Sequence, residues 1–200
     1  MKILGFDLST RQGSLALLDE DRLVTSREWP NDRRNSAPFF SALDEVFAEH
    51  SAPGMIVTGI GPGSYTGTRI AISAAIGLQA TTGAALCGLP SIAALSPENE
   101  YIVIGDAKRS SFFLGHVRGG VLAKDIDLLS EPEIAARITR FTIPTFTSDN
   151  LPQFSSVKLR FPSAKLLCRQ ASRFPQNLIR APLSPIYLRE PHITSPRGQK

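Results

Sequence analysis

The chain has 200 residues, a formal net charge of +4, 42% hydrophobic residues and two cysteines. That apolar share is ordinary for a globular protein and suits one compact unit or two small lobes, while Cys87 and Cys168 lie too far apart for a metal-spaced motif and read as reduced, buried thiols of a cytosolic protein. The charge is uneven: residues 1–150 hold 13 Lys/Arg and 17 Asp/Glu, whereas residues 151–200 hold nine Lys/Arg and only Glu190. Such a basic end attracts nucleic acid or an acidic partner, or is a solvated face, and it lacks the interleaved aromatics of a base-stacking surface.

KILGFDL (2–8) reads as a strand, SLALL (14–18) as a second and RLVTSREW (22–29) as a third, joined by tight polar turns into an antiparallel meander. The opening MKILGFDLST carries no signal-peptide pattern. Ser36 is placed to cap a helix in which Phe39, Phe40, Leu43, Val46 and Phe47 share one face, opposite Asp44, Glu45 and Glu49. Pro53-Gly54 ends that helix, and MIVTGI (55–60) is a buried strand. Gly61-Pro62-Gly63 then turns the chain into a second helix from about Tyr65 to Thr82, followed by a strand at LCGLP and a short helix at SIAAL (91–95). The strand–helix–strand steps favour parallel additions to the meander. No charge falls between Arg69 and Glu98, but Gln79, Thr81, Thr82 and Pro90 make the stretch too polar for a membrane span.

From Tyr101 the opening grammar repeats. Asp7 ends the strand ILGFD and Asp106 ends IVIGD; each is followed by a polar turn, an apolar strand (SLALL, SFFLGHV) and a further turn and strand. This predicts two lobes with a cleft between them: residues 1–98, a smaller second lobe 99–190, and a loose tail 191–200. EPEIAARI (131–138) and PSAKLLCRQASRF (162–174) read as helices, and FTIPTFT (141–147) as a strand.

The chemistry is sparse. Asp7-Leu8-Ser9-Thr10 sits where a hairpin could wrap a phosphate, with Asp7, Ser9 and Thr10 as the binding residues. The same four residues serve equally as a turn in which Asp and Ser cap their own backbone, and from the residues alone that plainer reading is preferred. His50, His116 and His192 have no metal-ligand spacing, and no nucleophile–histidine pairing stands out. The run 61–69 lacks the Gly-Lys-Ser/Thr ending of a P-loop. On the helix behind it, Ile70, Ala74 and Leu78 form one apolar line and Ile72, Ala75 and Ile76 another. One line can cover the sheet, and the other needs a second cover.

MKILGFDLST, NDRRNSAPFFSALDEVF, GIGPGSYTGTRI with its Ala/Gly-rich helix, DAKRSSFF and SPIYLRE together resemble the signature stretches of the TsaB (YeaZ) family. The likeness spans most of residues 1–118 and a patch near 182–190. It implies an α/β fold of the two-lobed actin, hexokinase and Hsp70 type (ASKHA), each lobe starting with an antiparallel meander extended by parallel strands and helices, here with a reduced second lobe. It also implies a cytoplasmic, non-catalytic subunit that pairs with and activates TsaD for making threonylcarbamoyladenosine next to the anticodon of ANN-decoding tRNAs. TsaE, an ATPase, joins that pair, tRNA is met indirectly, and the family also pairs with itself. No cofactor is required, and ATP or ADP is expected only at the partner interface. By the resemblance the pairing surface maps to the two helices of the first lobe, through Phe39, Leu43, Phe47, Gly61, Pro62, Gly63, Ser64, Tyr65, Thr66, Gly67, Arg69, Ile72, Ala75, Ile76 and Gln79. Asn35-Ser36, Tyr65 and Thr68 depart from the family's usual residues. The competing readings are an active ATPase or phosphotransferase of the same fold, motivated by Asp7 and Asp106, and a peptidase, for which no ligand set or nucleophile is visible.

Overall fold

A computed structural model describes residues 1–31 and 35–189. The meander forms as expected: β1 (Lys2–Asp7), β2 (Gln12–Asp19) and β3 (Arg22–Pro30) pair antiparallel. Next come α1 (Ala37–Glu49), β4 (Met55–Gly59), α2 (Tyr65–Thr82) and β5 (Ala85–Leu89), then a 3-10 turn at Ser91–Ala94 where the sequence suggested a short helix. β4 adds parallel to β1 and β5 parallel to β4.

Period-two alternation in β1 and β2 builds two cores from one sheet. Leu4, Phe6, Leu15 and Leu17 face α1 and α2, meeting Phe39, Leu43, Val46, Ala71 and Ala75. Their neighbours Ile3, Ala16 and Leu18 point the other way, towards α4 (Ala164–Arg173). The capping of α1 differs from expectation. The Ser36 side chain makes no cap hydrogen bond; Asn35 Oδ1 accepts the Ala37 N–H at 3.0 Å instead, because Ser36 itself adopts a helical conformation. α2 is closed at both ends, by Ser64, whose side chain accepts from the Gly67 N–H, and by left-handed Gly83.

The repeat from Tyr101 builds a second sheet. β6 (Glu100–Asp106) pairs antiparallel with β7 (Ser111–Arg118), and the third strand of this meander is split into β8 (Val121–Leu122) and β9 (Asp127–Ser130), both on β7. Lys124 and Asp125, exposed between them, interrupt the apolar run. α3 (Glu131–Ile138) opens with a capping box between Ser130 and Glu133. β10 (Thr145–Thr147) adds parallel to β6, and β11 (Lys158–Leu159) parallel to β10.

The division at residue 98 needs one correction. α4 and β12 (Ile179–Arg180), expected in the second lobe, return to the first: β12 pairs with β5, and Ala164, Leu167, Cys168 and Ala171 of α4 pack beneath β1 and β2. The reason is apolar cover. The face of the first sheet away from α1 and α2 would otherwise lie open, and a Leu as fully buried as Leu167 contributes about 2 kcal/mol. Ser14 Oγ fixes the return, donating to Pro162 O at 3.1 Å and accepting the Ala164 N–H at 3.0 Å. The tail 191–200 lies outside the described residues. Among the described residues no helix is long and apolar enough to cross a membrane, and both cysteines are free and buried, with burial pushing each thiol pKa up.

Candidate functional site

Two surfaces gather the residues singled out in the sequence: the cleft between the sheets and the outer face of α1 and α2. Each sheet sends one Asp-ended strand towards the cleft. Ser9, Thr10, Arg11, Ser64, Lys108, Ser148, Asp149 and Asn150 are among the residues lining a cavity of about 190 Å³ there. That is below the ~300–1,000 Å³ of ordinary small-molecule pockets.

Asp7 does not line it. The carboxylate is fully buried; Oδ1 accepts the Ser9 N–H at 2.7 Å and the Ser9 hydroxyl at 2.6 Å, while Oδ2 has no hydrogen-bond partner and lies beside Gly59 and Ser91. Burial pushes its pKa above the usual carboxylate range, opposed by the hydrogen bonds from Ser9 and by the neighbouring Ser91 hydroxyl. The Thr10 hydroxyl donates to Gln12 O at 3.0 Å. Asn31 Nδ2 donates to both Leu8 O and Thr10 O. The donors expected to wrap a phosphate are therefore engaged within the turn, as in the plainer of the two readings made from the sequence.

The glycines of the second loop explain themselves in the same place. Ser64 N–H donates to Ser9 O at 2.6 Å, which brings the start of α2 directly onto the hairpin. A Cβ at Gly63 would collide with Ser9 O, and one at Gly67 with Leu8 O. These glycines permit close packing of one backbone on another.

The second lobe's equivalent is more open. Asp106 Oδ1 accepts the Lys108 N–H at 2.7 Å, Oδ2 pairs with Lys108 Nζ at 2.5 Å, and Asp149 Oδ2 accepts the Asp106 N–H at 2.8 Å. Burial alone would raise the Asp106 pKa, but the Lys108 hydrogen bonds and charge bring it below the ordinary value. His116 lies 2.7 Å from Glu100, which also pairs with Arg118; Arg118 first and His116 second hold the Glu100 carboxyl below its ordinary value. His50 is the C-cap of α1, its N–H donating to Val46 O at 2.9 Å. Among the described residues no three of His, Cys, Asp and Glu cluster as metal ligands.

On the outer face the structure divides the residues mapped from the resemblance. Phe39, Leu43, Gly61, Pro62, Gly67, Ile72 and Ala75 are buried within the chain itself and present nothing to a partner. The second apolar line of α2 is thus mostly covered internally: Ile72 and Ala75 are buried, Ala75 in the core shared with α1 and the sheet, and Ile76, 49% exposed, is its uncovered member. Gly63, Tyr65, Thr66 and Arg69 are exposed, and Ser64, Phe47 and Gln79 are half-buried. Phe40 and Tyr65, each 46% exposed, border a groove of about 620 Å³ between the helices, floored by Ile70, Ser73 and Ala74. Phe40 and Tyr187 are the residues missed in that mapping. Phe40 stood in the same apolar arc as Phe39, and helical period alone left open which ring turns inward. Tyr187 lay in the noted SPIYLRE stretch, 118 positions from the Arg69 it contacts.

Two sheets that each begin with an antiparallel meander, extend by parallel strands and face each other across a cleft define the two-lobed actin-like α/β fold. Within that class the chain is similar to YeaZ from Pseudomonas aeruginosa, with TM-score 0.70 and 23% identity over 94% of this chain and 99% of that one. It matches a second solved structure, described as a protein with similarity to peptidase YEAZ from Pseudomonas aeruginosa, at TM-score 0.70 and 24% identity over the same shares. The fold is therefore that of YeaZ. No protein-family model and no curated protein matches the chain.

Proposed function

We propose that the chain is a TsaB-type subunit: a cytoplasmic, non-catalytic partner that docks on TsaD and supports threonylcarbamoyl transfer to the adenosine beside the anticodon of ANN-decoding tRNAs. The observation that carries the reading is the groove between α1 and α2, bordered by exposed Phe40 and Tyr65 with Ile76 about three turns beyond Tyr65 along α2. Apolar side chains concentrated on one face of a polar surface mark interaction sites. The YeaZ-like fold and the resemblance of the signature stretches to the TsaB family support TsaD as the partner. TsaE and nucleotide join, in this reading, at the assembled pair, and tRNA is met through it.

The buried Asp7 also favours a docking subunit over an ATPase or phosphotransferase. A carboxylate enclosed beneath Gly59 and Ser91 is not placed to hold a hydrated cation at the cleft.

The test is to mix the chain with TsaD from the same organism and follow complex formation by size exclusion. Ile76→Glu should abolish the complex with an unchanged melting temperature. Ile72→Glu is expected instead to unfold the chain, because it places a charge at a buried position. A stable complex with Ile76→Glu would overturn the docking face. ATP turnover by the isolated chain, lost in Asp7→Ala, would favour the enzyme reading.

A further inference from the structure

The motif SPIYLRE is not used by the docking reading as it stands, yet its tyrosine completes a structured cation on that face. Arg69 follows Tyr65 by one helical turn, and its guanidinium carbon lies 4.0 Å from the Tyr65 ring centroid. On the other side Arg69 Nε donates to the Tyr187 hydroxyl at 2.8 Å, and the two tyrosine rings lie 5.3 Å apart. Tyr187 is fixed from both lobes. The preceding Ile186 N–H donates to Ile60 O at 2.8 Å, and the following Leu188 packs into the second-lobe core with Ile92 and Val103.

Arg27, Arg118 and Arg137 each reach a carboxylate of the chain. Arg69, among the described residues, has the tyrosine oxygen and two ring faces. Its side chain is exposed, with Nε engaged by the Tyr187 hydroxyl and the guanidinium lying over the Tyr65 ring. A guanidinium immobilised in this way keeps a rigid fork for bidentate pairing and loses little further freedom on binding.

We infer that Arg69 is the charged anchor of the α1–α2 face: a pre-organised receptor for an aspartate or glutamate side chain on the docking protein, held ready by Tyr187 as a positioning residue. The inference rests on the docking reading above. The chemistry favours a protein carboxylate over a nucleic-acid phosphate, because the adjoining groove is floored by Ile70 and Ala74 and bordered by Phe40, surface that a phosphate backbone leaves wet. It favours a different protein over a second copy, because among the described residues no acidic residue lines this groove for a symmetric mate's Arg69 to meet.

Isothermal titration of the full chain with TsaD from the same organism, at about 50 mM and 500 mM salt, tests it. Arg69→Gln should weaken binding roughly 10- to 100-fold at low salt and flatten its salt dependence, with the melting temperature retained. Arg69→Lys should recover little, since an ammonium cannot form the fork. Tyr187→Phe keeps the ring, loses the hydroxyl and should weaken binding several-fold. If Ile76→Glu abolishes binding while Arg69→Gln changes it less than twofold, the docking face stands and the anchor falls. If neither change matters, or the wild-type chain does not bind TsaD, the docking reading itself is wrong. Arg69-dependent self-association without TsaD binding, or displacement by a short RNA at Arg69, would also overturn the inference.

Discussion

The turns after Asp7 and Asp106 share a sequence grammar and end with opposite chemistry. At Asp7, β4 and the turn at Ser91 close over the carboxylate, α2 docks on the following hairpin through Ser64, and the acid is driven towards its neutral form. At Asp106 nothing comparable descends. Lys108, Arg109 and Ser110 run left-handed with φ of 65°, 54° and 55°, and Lys108 folds back on the carboxylate and favours its charge. What lies above a turn, more than its residues, fixes whether it can act on a ligand. A duplicated motif has become a structural plug in one lobe and a solvated cleft edge in the other.

The strongest break in this contrast is Gly59→Ala. A Cβ there would meet Asp7 Oδ2 and the Ser91 hydroxyl, so the plug must open. Overpacking of this kind costs about 1–3 kcal/mol, read as a fall in the denaturation midpoint at constant slope. Asp7→Asn should act in the opposite direction at neutral pH. The Asp7 carboxyl titrates above its ordinary value of 3.8 in the fold, so its charge opposes folding as pH rises through the folded pKa and is irrelevant below the ordinary one. The variant should therefore be more stable at pH 7, by on the order of 1 kcal/mol, and should converge with the wild type near pH 3; a pH series of urea melts checks this. A loss of stability at pH 7 would mean that the ionised form is the one the fold holds. Asp106→Asn is the smallest and has the reverse sign. The Asp106 carboxyl titrates below its ordinary value, so its contribution is present above about pH 4 and fades as pH falls. Its carboxylate is partly exposed, so the loss at pH 7 should stay under about 1 kcal/mol and shrink further in high salt.

Much of the fold was legible. The strands KILGFDL and SLALL, the apolar arc of Phe39–Phe47 and the helix at EPEIAARI are local patterns, and local physics realises them. The candidate face was legible only as a pair of helices. Ile72 and Ile76 are one turn apart in the same apolar line, yet Ile72 is 6% exposed and Ile76 is 49% exposed, a difference that helical period does not encode. Gly63 and Gly67 have no P-loop pattern around them in the sequence and no other local reason to be glycine; the carbonyls of Ser9 and Leu8 that require them lie more than 50 positions away.

By itself the sequence determined the order of strands and helices through the first lobe, the repeat at Asp7 and Asp106, and the parallel growth of the first meander, because period and turn chemistry act over a few residues. Tertiary structure alone decided that α4 crosses back beneath the first sheet, that Asp7 is sealed, and that Tyr187 meets Arg69. These depend on which apolar face still lacked cover and on which backbones could approach, and both are set by residues far apart in the chain.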